Sequence, residues 1–298
     1  MKMLRAFGLA WFLIGRAVAA DSAHERAVAD ARAERVAKLT ASDGWLTLVG
    51  LHFLSPGENT IGSAKDNAVV LAAGPARLGR VTLAADGTVT IAIAAGVEAR
   101  IDGQVVRAGE LNVGEGKVKP TLVTSGTLSF FALDRGGKKA LRVKDSTSAR
   151  RAHFAGLDYF PIDPAWRIVA RWEPFESSRL MPITNALGQT APLPIPGRAV
   201  FERDGRAIEL LPIDEGRDVP LFFVISDSTS GKETYGASRF LYVPWPKEGE
   251  RSIVLDFNLA ENPPCAFTPF ATCPLPPKEN RLPFAVPVGE KNYRGSHE

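Results

Sequence analysis

From Gly44 onward the chain is cut every few residues by glycine, proline, asparagine or aspartate, and the pieces between are short and β-prone. In the first half these runs fall at 45–54, 60–61, 69–71, 80–83, 89–93, 105–106, 127–131 and 140–143. They continue at 166–172, 199–203, 208–211, 221–225, 239–243 and 252–257. With 27 Gly and 22 Pro in 298 residues, long helices have little room, and many short strands joined by turns are expected. Asp86-Gly87, Asp102-Gly103 and Asp204-Gly205 mark tight hairpins, because glycine accepts the positive φ such turns need. The spacing predicts a mainly β fold with sandwich- or barrel-like sheets. Pro192, Pro194 and Pro196 alternate in what reads as an extended surface connection.

The N-terminus is different. Lys2 and Arg5 precede an apolar run over 6–14, and Ala17-Val18-Ala19-Ala20 stands just before Asp21. That is the layout of a cleavable secretory signal over 1–20. The run is too short for a spanning helix, which needs roughly 20 residues. A periplasmic or secreted protein with no stable membrane insertion is expected. Over 21–43 one amphipathic helix is predicted, with Ser22 and Glu25 as a capping box and Ala27, Val28, Ala31, Val36 and Leu39 as its apolar stripe. Its Arg- and Glu-rich face reads as solvent-facing, without a catalytic role. The remainder divides into a β-sandwich over 44–148 and a second β region over 149–298 packed as one unit with it.

The charge balance follows from the leader. The chain carries 36 Lys+Arg against 33 Asp+Glu, and Lys2, Arg5 and Arg16 account for the excess. What remains is neutral and has no basic run, so it lacks the phosphate-neutralising surface of a nucleic-acid binder.

Within the first half, residues 57–131 follow a recognisable order: Asn59-Thr60-Ile61-Gly62, then Asn67 leading into Val69-Val70-Leu71, and later Asp102-Gly103-Gln104-Val105. This order resembles a forkhead-associated sandwich. Phosphothreonine readers of that family place Arg after the Gly, where this chain has Ser63, and their Ser-x-x-His element is replaced by residues 76–80. The resemblance implies the shape without the phosphopeptide function.

The most distinctive passage is Leu255-Asp256-Phe257-Asn258-Leu259-Ala260-Glu261-Asn262-Pro263-Pro264-Cys265-Ala266-Phe267-Thr268, followed by Cys273-Pro274-Leu275-Pro276-Pro277-Lys278-Glu279-Asn280-Arg281-Leu282. Together with Asp227-Ser228-Thr229-Ser230-Gly231, Thr234-Tyr235 and Arg142-Val143-Lys144-Asp145, it is similar to a widespread bacterial family known as a domain of unknown function. Members of that family often carry Tyr where this chain has Glu261. Eight prolines between Pro263 and Pro287 fix φ and remove N–H donors, so the segment can be neither a central strand nor a helix. It reads as a C-terminal strap that covers a sheet edge, or as a preorganised pocket wall.

Cys265 and Cys273 are the only cysteines. A disulfide between them, worth roughly 2–3 kcal/mol by chain entropy, a pair of buried thiols and a nucleophilic Cys265 are the alternatives. Zinc ligation would need paired Cys or His ligands that this spacing lacks, and no cofactor is expected. His24 falls on the helix, His52 in a strand run, His153 beside two arginines and His297 in the tail. No GxSxG, HExxH or GxxxxGK[ST] motif occurs.

The remaining polar candidates are the pairs Arg142 with Asp145, Asp227 with Arg239, Asp256 with Arg281 and Glu290 with Lys291. Joined by Tyr235, Asn258, Asn262 and Asn280, they suggest a polar pocket for a small anionic or sugar-like ligand, or contact with an envelope partner. The alternatives are a hydrolase using Asp227 or Asp256 as acid and base, with Arg142 or Arg239 stabilising negative charge, and a purely structural envelope protein. Convergence of these residues in one concave site is the geometric test that separates the readings.

Overall fold

The computed structural model describes residues 7–114 and 118–295, and for 7–21 the backbone alone. Residues 1–6 of the expected leader and His297 lie outside the described residues. The fold is mainly β, with one long N-terminal helix. Among the described residues no helix is long and apolar enough to cross a membrane.

Helix α1 spans Phe7–Thr40 without a break. Ser22 therefore lies inside it and not at its N-cap. The face it buries also differs from the predicted stripe: Val28 and Leu39 are fully buried, while Ala27 is exposed. Positions 24, 28, 32, 35 and 39 share that face at the 3.6-residue period. Two arginines thus sit on the docked side.

The first half forms ten strands: β1 Leu48–Phe53, β2 Gly57–Gly62, β3 Val69–Val70, β4 Gly79–Leu83, β5 Val89–Ile93, β6 Arg100–Ile101, β7 Ala108–Glu110, β8 Val123–Ser125, β9 Leu128–Arg135 and β10 Lys138–Asp145. They make two five-stranded sheets, in the orders β1-β10-β9-β8-β6 and β3-β2-β4-β5-β7. Alternating inward residues of both sheets, among them Ile61, Val81, Ile91, Phe130 and Leu141, meet in one core. This is the sandwich that the short alternating runs predict.

The short helix α2 Ala149–Ala152 leads into six further strands: β11 Arg167–Thr184, β12 Thr190–Arg203, β13 Arg206–Leu210, β14 Leu221–Ile225, β15 Arg239–Val243 and β16 Ser252–Asp256. Four of them form a sheet in the order β13-β12-β11-β16, and β14 pairs with β15. The turn between β12 and β13 is Asp204-Gly205, with φ of 51° and 71°, as the dipeptide predicts. Pro192, Pro194 and Pro196 lie in β12, not in a free connection. β13 pairs only with residues 199–203 of β12, so the proline stretch is an edge where a missing N–H leaves no partner unsatisfied.

Strand β14 is buried throughout. Leu221, Phe223 and Ile225 face the four-stranded sheet, and Phe222 and Val224 face a second cluster with Leu48 of β1 and Cys273 of the strap. The strap closes the open backbone of this hairpin. Ser226 N–H donates to the Asn280 carbonyl at 3.1 Å and Leu282 N–H returns to Ser226 at 2.8 Å. Glu261 exchanges both backbone bonds with Phe240, at 2.8 and 2.9 Å. The covering role expected from the prolines is what the backbone shows.

Candidate functional site

Two short backbone clamps set the site. The exchange with Phe240 fixes Glu261 beside β15, and Glu290 N–H donates to the Ala260 carbonyl at 2.8 Å. Gly289, at φ +80°, makes this approach possible; a Cβ there would stand 2.5 Å from the Ala260 oxygen. Tyr159 bridges Glu290 on the other side, with Phe160 N–H donating to the Gly289 carbonyl at 3.0 Å. Two glutamates and a tyrosine are therefore carried by backbone pairing and not by loose loops.

Helix α1 brings the cations. Arg35 Nε donates to Glu290 Oε1 at 3.1 Å, its Nη1 lies 3.2 Å from Glu261 Oε1, and its Nη2 donates to the Asn262 carbonyl at 2.7 Å. Glu290 Oε2 accepts the Asn262 N–H at 2.8 Å. One turn earlier, Arg32 donates to the Phe160 carbonyl at 3.2 Å and lies 4.2 Å over the Tyr159 ring. Two turns earlier still, His24 Nε2 meets Asp256 Oδ2 at 2.6 Å.

Between helix and strap is a cavity of about 480 Å³, lined by Arg32, Arg35, Trp45, Tyr159, Tyr242, Asn258 and the two glutamates among others. Burial pushes the Glu261 carboxyl up to about 7; Arg35 opposes the shift and Glu290 adds to it. Burial raises Glu290 as well, against Arg35 and the Asn262 N–H. Burial also works to lower Arg35, but the two carboxylates outweigh it and hold the guanidinium firmly charged. Burial and Glu290 raise Tyr159. Arg32 Nε and the Tyr159 hydroxyl are sealed from solvent and have no protein partner. Among the described residues no group of three or more His, Cys, Asp and Glu is arranged to hold a metal.

The polar residues singled out from sequence do not converge. Asp227 and Arg239 do pair, at 2.7 Å, with side chains 0% and 1% exposed, and so are sealed. Arg142 and Asp145 do not pair: Asp145 Oδ1 accepts from Thr147, and Arg142 lies over Trp45. Arg281 turns to the Pro276 carbonyl at 3.4 Å, leaving Asp256 to His24 and Asn258. Lys291 covers the Phe160 ring, 4.5 Å away, and Glu290 takes Arg35 instead. Asn280 cross-links Leu211 and Val224, and the Tyr235 hydroxyl donates to the Cys265 carbonyl.

Three of the set do belong to the cavity region. Asn258 lines it, Asn262 holds Arg35 and Glu290, and Asp256 docks the helix. Reading the helix face from its apolar residues alone missed Arg32 and Arg35, and nothing near Tyr159 marked it. The available signal was the spacing 24-28-32-35-39, which puts both arginines in register with Val28 and Leu39. Cys265 and Cys273 are free thiols here, so the disulfide is not formed in this structure; Cys265 N–H donates to Cys273 Sγ at 3.2 Å.

The fold and site thus define a mainly β protein whose N-terminal helix roofs a mixed-charge cavity on a proline-rich strap. Residues 152–291 match the model of a family described as a protein of unknown function, DUF1684. None of the curated proteins matches the chain. Among solved structures, the chain is similar to an uncharacterized protein of Haloarcula marismortui determined by solution NMR, at 29% identity. The match covers 49% of this chain and 81% of that one, with a TM-score of 0.42.

Proposed function

We propose that this is an exported binding protein that takes a small, neutral, hydroxyl-rich ligand of the sugar-like kind in the cavity under α1. The observation that carries the reading is the lining itself: Arg35 already matched to Glu261 and Glu290, beside the aromatic rings of Trp45, Tyr159 and Tyr242. An anion seated on Arg35 would have to displace Glu261 or Glu290, leaving a buried carboxylate unpaired, which costs several kcal/mol. Hydroxyl groups can donate to those carboxylates and accept from Arg32 while their C–H faces cover a ring, with no charge displaced.

The test is calorimetric titration of the full chain with neutral mono- and oligosaccharides, beside sugar acids and inorganic phosphate. Saturable binding of a neutral sugar, weakened at least about tenfold by Tyr242→Ala or Arg32→Ala, is expected, a loss of about 1.4 kcal/mol. Binding confined to the anions, or unmoved by either substitution, would overturn the reading.

A hydrolase is the second reading, and a specific group favours it. Glu261, with its carboxyl near 7, is suited to hold a proton at neutral pH while Glu290 stays anchored. It replaces Asp227, which is sealed, and Asp256, which docks His24, as the candidate acid.

Export is part of the proposal. Removal of residues 1–20 leaves His24, Arg32 and Arg35 on the helix, so cleavage and an intact site are compatible. Intact mass of exported material is expected to begin at Ala20 or Asp21; a chain starting at Met1 would refute it. The wider kinship is also our reading: the strap signature ties the whole chain to the family matched over 152–291, and a forkhead-associated-like origin accounts for the two-sheet first half. In that half Ser63 bonds the Gly74 carbonyl at 2.9 Å, a structural contact within the chain.

A further inference from the structure

The strap offers the cavity under α1 one carboxyl with bonding capacity left over. Glu261 Oε1 lies 3.2 Å from Arg35 Nη1, Oε2 has no partner among the described residues, and the side chain is 23% exposed. Glu290, which shares that arginine, is 2% exposed and is used up by Arg35 Nε and the Asn262 N–H. Asn258 is used up as well. Its side chain accepts the Asp163 N–H and donates to the Asp163 carbonyl, both at 2.9 Å, and donates to Asp256 at 3.0 Å.

The wall beside Glu261 is apolar. Leu259, two residues earlier on the strap, and Tyr242 of β15 are large, hydrophobic and exposed, and Pro220, just before β14, is exposed too. All three line the cavity. The antiparallel bridge between Glu261 and Phe240 turns residues 257–259 back along β15, which they contact, so Leu259 and Tyr242 belong to one wall. The Tyr242 ring lies flat on Phe222, with ring centres 5.1 Å apart and planes 10° from parallel, which holds that wall in place. The C–H face of a sugar ring can cover Tyr242. Leu259 and Pro220 call for something more: an apolar group only a few bonds away from a group that hydrogen-bonds a carboxyl.

An acetamido group has that layout. Its N–H donates to an ionised carboxylate, its carbonyl accepts from a protonated one, and its methyl gains by leaving water. Burial holds the Glu261 carboxyl near 7, so both forms are present at neutral pH and the amide satisfies either. An ammonium in the same place can only donate, and it brings no methyl.

We propose that the cavity recognises the acetamido group of an N-acetylated amino sugar, with Glu261 bonding the amide and Leu259, Pro220 and Tyr242 receiving the methyl. The proposal rests on the neutral-sugar reading above and names the substrate class within it.

Calorimetric titration of the full chain at pH 7 with N-acetylglucosamine, glucosamine and glucose is the test. N-acetylglucosamine is expected to bind at least about tenfold tighter than the other two, the margin that a hydrogen bond to a carboxyl and a buried methyl provide together. Glu261→Ala should bring it down to the glucose level, and Glu261→Gln, whose amide still donates and accepts, should keep the preference. Equal binding of glucose and N-acetylglucosamine by the wild type, or a preference that survives Glu261→Ala, would overturn the proposal and leave the neutral-sugar reading standing. Loss of both sugars at once would overturn the proposal and count against the reading beneath it. Should Glu261→Ala not fold, saturation-transfer NMR of the wild type with N-acetylglucosamine decides. The acetyl methyl protons are expected to take up the most saturation, and a methyl signal weaker than the ring protons ends the proposal.

Discussion

Asp227→Ala is expected to cost about 3–5 kcal/mol of folding stability, the range for removing one partner of a buried ion pair. Asp227 and Arg239 have side chains 0% and 1% exposed, so the stranded guanidinium could not be reached by water. The pair also ties three segments together. Asp227 accepts from Thr229 N–H at 2.8 Å and Val286 N–H at 3.2 Å, while Arg239 donates to the Val286 and Val288 carbonyls. Losing it frees the strap just before Gly289 and Glu290, so the cavity floor should loosen along with the fold. Denaturant unfolding of the variant measures the cost, and a change below about 1 kcal/mol would contradict this account. Asp227→Ala combined with Arg239→Met should recover much of the loss, because a well-packed apolar pair leaves no charge unpaired.

The second large effect is the reverse in sign. Glu261→Gln is expected to stabilise the protein at alkaline pH. The Glu261 carboxyl stands near 7 when folded and near its ordinary 4.5 when unfolded. Between those values the folded protein holds a proton that the unfolded chain has released. This residue's contribution is therefore fully present below pH 4.5 and lost as pH rises through 7. At about 1.4 kcal/mol per unit of difference, the penalty above pH 7 is on the order of 3–4 kcal/mol. Glutamine, neutral at every pH, escapes it. The gain over wild type should be near its full size at pH 8 and vanish by pH 4.5, read from unfolding midpoints across that range. A gain that does not change with pH would show that the carboxyl is not held protonated by burial. Stability withheld at a cavity wall is what a binding or acid–base role would require.

The extent to which this fold is legible in its sequence follows from what each pattern encodes. Short β-prone runs and Asp-Gly dipeptides are local signals, and most strands and the 204–205 hairpin follow them, although 105–106 lies in no strand and β11 and β12 run to 18 and 14 residues. The strap is legible too, because eight prolines exclude helix and central strand whatever surrounds them. Side-chain pairing is not local. Asp227 found Arg239 twelve residues away, as nearness in sequence suggested, but Arg35 found Glu290 at a separation of 255 and His24 found Asp256 at 232. Nothing in the chain between them encodes those meetings. The helix misled for a related reason. Arg32 and Arg35 look like solvent-facing residues until two buried carboxylates are known to stand opposite them. Glu261 carries no local signal of its role, which depends on an arginine contributed from far away in the chain.

That separation has a consequence for how the protein comes into being. A ribosome delivers Arg35 255 residues before Glu290, so the cavity cannot exist until both have emerged. Local sandwiches can form on the way, and the closure of the two ends comes after them. Nascent α1 therefore waits through that stretch of synthesis with Arg32 and Arg35 unclaimed, its binding surface complete only when the strap is fastened to it.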